Sequence, residues 1–118
     1  MTHEEKLRAW AKGSYATEGA TELLIRAMGG RFAGRDNPWV KREDDVAWIE
    51  FDEILDNIGP LSSGERGILQ IAASIGSFNA KVSLKDALWS LDDGNAALVV
   101  AAISHSANLP GNRVTWPA

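Results

Sequence analysis

A chain of 118 residues with 45% apolar and 24% charged side chains has the size and balance of one ordinary globular domain rather than a disordered tract. The absence of cysteine excludes a disulfide framework, cysteine-ligated zinc, iron–sulfur clusters and thiol catalysis. A formal net charge of −4 argues against generic attraction to nucleic acid or anionic membrane, while leaving room for a local basic patch.

Thr2-x-x-Glu5 has the form of a capping box, so a short first helix is expected to run to about Lys12, where Gly13 stops it. In "TEGATELLIRAMGG" the apolar residues Ala20, Leu23, Leu24, Ala27 and Met28 recur at helical spacing, with Thr17 as the expected cap and Gly29-Gly30 as the exit. Residues 31–51 lack a helical period and contain Asn37-Pro38, a turn signal. Their β-prone pieces around Trp39-Val40 and Val46–Phe51, separated by "KREDD", predict a short β-hairpin-like or extended arm. "DEILDNIG" then predicts a short helix capped by Asp52.

Ser62-x-x-Glu65 is a second capping box, followed by a one-sided stripe of Ile68, Leu69, Ile71, Ala72 and Ile75. Ser83 and Asp86 cap a further helix through Leu88 and Leu91, and Asp92 or Asp93 a last one from Asn95 to about Ser106. The last helix is apolar nearly all round, which marks it as the expected centre of the bundle. Its longest apolar run, residues 96–103, is half or less of the ~20 residues that cross a bilayer. The start, "MTHEEKLRAWAKG", lacks the apolar stretch of a secretory signal, so a cytoplasmic location is expected. The expected fold is mainly α: a single domain over residues 1–118 with four to five helices, and with residues 108–118 as an extended tail. Residues 61–76 and the two C-terminal helices form its expected core.

"LSSGERGILQIAASIG", residues 61–76, is similar to the signature helix of ABC-type ATPases. Such an enzyme also needs a phosphate loop, G-x-x-x-x-G-K-[ST], and a strand ending in an acidic pair. Neither occurs in the chain. The capping box explains the same residues as a helix start. The two histidines, His3 and His105, are too few for a His-rich metal site. His105, near the end of the last helix, suits the negative pole of the macrodipole, and a general base paired with Ser104 or Ser106 is the competing reading. Asp44-Asp45 and Asp92-Asp93 fit a charged turn and a helix cap, and "DDGN" fails the calcium-loop pattern.

Five tryptophans are many for this length. Trp89 is expected in the core and Trp10 fits either surface or core. Trp39 and Trp48 flank "KREDD", so Trp39, Lys41, Arg42 and Trp48 form the candidate partner-binding set. "ERGILQIAASIGSFNAKVSLKDALWSL" also fits a helix, a turn and a second helix, but Lys85 is offset there by Asp86 and Asp92-Asp93. At "EGATELLIRAMGGRF" and "LSSGERGILQIAASI" the chain resembles small Ala/Gly-rich proteins of high-GC Gram-positive bacteria or their phages, a resemblance that implies no activity, ligand or catalytic residue. The expected function is a non-enzymatic interaction or regulatory accessory module with an unidentified protein partner. No cofactor, metal or catalytic set is expected, and self-association is left open. A helix-turn-helix-like DNA-binding regulator is the alternative, with a small hydrolase behind it.

The capping reading predicts that Ser62→Ala lowers stability by about 1 kcal/mol and changes no nucleotide-dependent property, because the hydroxyl closes an orphaned amide. Chemical denaturation and ATP titration of the variant check this. Saturable ATP binding lost on substitution would show instead that these residues contact phosphate.

Overall fold

Each α-helix begins where a side chain accepts an otherwise orphaned backbone N–H. The computed structural model describes residues 1–110 and 114–117. Thr2 and Glu5 close a capping box on α1, His3–Ala11, and Gly13 turns the chain with φ +109°. The next helix, α2, spans Tyr15–Arg26. Its cap is Ser14 rather than the expected Thr17, whose amide and hydroxyl both donate to the Ser14 hydroxyl, at 3.3 and 3.0 Å. Met28, Gly29 and Gly30, at φ 52°, 67° and 79°, break the 3-10 segment Ala27–Ala33 that follows. The helix therefore ends at Arg26, before Met28.

Strands β1, Val40–Glu43, and β2, Val46–Ile49, pair antiparallel with Val40 opposite Ile49 and Arg42 opposite Ala47. Asp44 takes the left-handed conformation at the turn, φ 54°, which aspartate tolerates better than most residues. Val40, Ala47 and Ile49 are buried and β2 packs against α1, so the residues expected as an arm lie on the body of the protein. The helix expected from Asp52 is replaced by two 3-10 turns, Phe51–Glu53 and Leu55–Asn57. Asp52 accepts the Ser77 hydroxyl instead of capping.

Ser62 and Glu65 close the second capping box on α3, Ser63–Gly76. Arg31 donates to the other Glu65 oxygen at 2.6 Å, so the motif similar to an ATPase signature ties a helix start to the segment after α2. Ser83 caps α4, Leu84–Trp89, and Asp92 caps α5, Asp93–Ser106. In the C-terminal tail, Trp116 lies under the Arg26 guanidinium at 5.0 Å, and residues 111–113 and 118 of the expected tail lie outside the described residues.

The core centres on α2, not on the two C-terminal helices. Ala20, Leu23 and Leu24 of α2 are wholly buried, and this helix packs against α1, α3 and α5. The last helix, expected at the centre, leaves Val100 64% exposed, and α4 buries only Ala87. An all-apolar helix carries no periodic signal of which side faces inward. Among the described residues no helix is long and apolar enough to cross a membrane.

Buried Gly19 decides how closely α2 and α5 approach. A Cβ there would collide with the Ser106 hydroxyl and lie 2.7 Å from the Ala102 carbonyl oxygen. Gly94, in the first turn of α5, has its nearest outside atom at 3.6 Å. Gly19→Ala is therefore expected to lower stability by about 1–3 kcal/mol through overpacking. By contrast, Gly94→Ala should raise it by about 0.4–1 kcal/mol by restricting the unfolded chain. Urea unfolding of both variants measures the opposite signs, and a Gly19→Ala protein as stable as wild type would show that the interhelix contact is loose.

Candidate functional site

The hairpin divides the four residues singled out as a partner surface. Trp39 is 2% exposed, its ring stands 6.3 Å from that of Phe32, and its indole N–H donates to the Phe32 carbonyl at 2.8 Å. A large apolar ring with its one donor satisfied belongs to the core, so Trp39 is not available to a partner. Lys41 and Trp48 are direct cross-strand neighbours on the outer face. Lys41 reaches Glu53 at 3.1 Å, and half-buried Trp48 donates to Glu50 at 2.9 Å. Arg42 pairs with Ala47 on the other face.

The strongest apolar exposure lies elsewhere. Within α4 only Ala87 faces inward, and its carbonyl oxygen lies where a Cβ on Gly67 of α3 would stand. Leu84, Leu88 and Trp89 are 53%, 43% and 81% exposed, and Phe78, in the connection from α3, is fully exposed. Trp89, expected in the core, thus stands in solvent. Helical geometry places it one turn from Lys85, and with Ser83 and Asp86 the two line a shallow hollow. The capped helix was legible in the sequence. That Ala87 is its inward residue depends on the close approach at Gly67, which local sequence does not reveal.

A polar cluster joins the N-terminal half of α2 to the end of α5. Glu18 accepts the Gly13 amide at 2.8 Å with one oxygen, and the other lies 2.8 Å from His105 Nε2. The Gly13 N–H, and after it His105, hold the Glu18 carboxyl below the usual range. Burial pushes Glu22 the other way, but the guanidiniums of Arg8 and Arg26 outweigh it and its carboxyl is also lowered. Arg8, Glu18, Glu22 and His105, with Lys12 and Thr21, border a pocket of about 280 Å³. Glu18 is the acidic partner for His105 that sequence spacing did not supply, because 87 residues separate the two.

The general-base reading pairs His105 with a neighbouring serine hydroxyl as nucleophile. The neighbouring Ser106 hydroxyl is engaged by the Ala102 carbonyl at 2.7 Å, an i−4 bond within the helix. The Tyr15 and Trp116 rings pack beside the imidazole, with centroids 6.3 Å away in each case. The arrangement is that of a bridge between helix ends. Among the described residues no group of three or more His, Cys, Asp or Glu side chains is placed to hold a metal ion. No protein-family model, curated protein or solved structure matches this chain.

Lowered carboxyl pKa values fix the sign of a pH dependence. Glu18 and Glu22 contribute stability that is present above the unfolded glutamate value of about 4.3 and lost as pH falls through their lower folded values. Urea midpoints measured from neutral pH downward should therefore drop on the acid side. Glu18→Gln and Glu22→Gln should be less stable at neutral pH and show a flatter acid limb. An acid limb unchanged in both variants would remove these two carboxylates as its source.

Proposed function

We propose that this chain is a non-enzymatic interaction module that docks a partner protein through α4. The observation that carries the reading is the outward apolar face of α4: Leu84, Leu88 and Trp89 exposed, with Ala87 alone buried. Scattered apolar side chains are ordinary on a protein surface, but three large ones on a single six-residue helix are a recognition feature. Tryptophan is the side chain most enriched among residues that dominate binding energy. The partner that fits offers an apolar groove for Trp89 and Leu88, with a carboxylate at its edge for Lys85. Among the described residues Lys85 has no ion-pair partner.

The DNA-regulator reading draws little from the same segment. The second helix of the α3–α4 unit presents Leu84, Leu88 and Trp89, and its Lys85 stands beside Asp86. A groove-reading helix presents donors and cations to bases and phosphates.

Trp89→Ala is expected to weaken partner binding by about 2 kcal/mol or more. Its unfolding free energy should change by less than about 0.5 kcal/mol, since the ring is exposed. Trp39→Ala, the buried control, should cost about 3–5 kcal/mol of stability. Affinity purification from the native cell, with both variants run beside the wild type and each checked by thermal melting, separates binding from folding. A partner captured equally by wild type and Trp89→Ala would overturn the α4 assignment.

A further inference from the structure

Most of the described arginines are already engaged. Arg8, Arg26 and Arg31 pair with carboxylates, as does Lys41, and Arg66 donates to the Leu61 carbonyl at 2.8 Å. Lys6, Arg35 and Arg42 have no such partner among the described residues, although they come from three separate elements. The fold brings these three to one hollow of about 200 Å³, with His3, Asp44 and Ala47 on its wall.

The hollow is built by local structure on each side. Lys6 comes from the first half of α1, and Arg42 stands opposite Ala47 at the tip of the hairpin, on the face turned to that helix. Arg35 sits in a turn held by the Asn37 amide, which donates to the Arg31 and Gly34 carbonyls at 2.8 Å each. His3 Nε2 lies 2.8 Å from the Ala33 carbonyl. A carbonyl only accepts, so Nε2 carries a proton and the start of α1 is tied to the segment bearing Arg35.

Three side-chain cations line the hollow with the single Asp44 carboxylate, a side-chain excess of two positive charges in a chain whose formal net charge is −4. Like charges gathered without counterions raise the energy of the folded state, and a bound dianion removes that cost. Guanidinium forks match the oxygens of a phosphate in geometry as well as charge. The exposed acids Glu4, Asp36, Glu43 and Asp45 adjoin these elements in sequence and disfavour a long polyanion such as nucleic acid. We propose that this hollow, independently of the α4 surface, binds a phosphate dianion, either free or as the monoester group of a small molecule.

Amide and arginine side-chain shifts of the full ¹⁵N-labelled chain, followed at constant low ionic strength, test this with three probes: inorganic phosphate, adenosine 5′-monophosphate, and the thymidine dinucleotide that carries one internal diester and no terminal phosphate. Saturable shifts are expected at Lys6, Arg42 and Ala47 with the first two probes. Arg42→Gln and Arg35→Gln should each weaken binding about tenfold, the loss of one charge-assisted contact. Lys81→Gln, which removes an exposed cation elsewhere, should leave it unchanged. Equal affinity for inorganic phosphate and the nucleotide assigns the hollow to the free anion, whereas tenfold tighter nucleotide binding assigns it to a monoester. The proposal fails if neither probe saturates by about 10 mM. It also fails if the diester binds as tightly, or if Lys81→Gln loses as much as Arg42→Gln.

Discussion

The close approach of α2 and α5 at Gly19 is the contact on which the remaining architecture depends. Without a side chain at that position, the α5 backbone comes near enough for Ala102 and Ser106 to lie directly against α2. Next to it, Glu18 reaches His105, and toward the other end of α2 Arg26 covers Trp116. The hydrophobic contribution comes from Ala20, Leu23 and Leu24 on one side and Val99, Ala101 and Ala102 on the other. With α5 held there and α3 packed against α2, the short α4 meets the body chiefly through Ala87, and its larger side chains remain outside.

Charge follows the same division of labour. Glu22 gathers Arg8 and Arg26 from two helices, and Glu65 serves both the Ser62 amide and Arg31. These carboxylates join elements distant in sequence, so the cations they hold are part of the scaffold. Three cations outside these pairs, Lys6 of α1, Arg35, and Arg42 of the hairpin, line one hollow. The proposed anion hollow and the apolar α4 surface therefore rest on different elements of the fold. A substitution in one surface leaves the side chains of the other in place.

What could be read in the sequence was local, and what escaped it was tertiary. The boxes at Thr2–Glu5 and Ser62–Glu65, and the caps at Ser83 and Asp92, each lie within one helical turn and appear as expected. The hairpin followed from β-prone pieces around a charged turn. Asp52 had the residue type and position of a cap, but a tertiary bond to Ser77 engages it. Trp39 and Trp89 show the limit plainly. Each is a tryptophan within a locally plausible element, yet one is buried because Phe32 and its carbonyl receive it, and the other is exposed because Ala87 occupies the inward position. The Arg42 side of the hairpin was legible as a candidate surface. Its convergence with Lys6 and Arg35 was not, because nothing in residue spacing brings those positions together.

The span between Glu18 and His105 also bears on the order in which the chain acquires its shape. Closing a loop of 87 residues costs about 4 kcal/mol in the length-dependent part of chain entropy alone, before any contact within it forms. The contact of α3 with α2 divides that loop, so the chain left to close between α3 and α5 is shorter. Without α5, Ala20, Leu23 and Leu24 lose part of their cover and stand open to association with other incompletely folded chains.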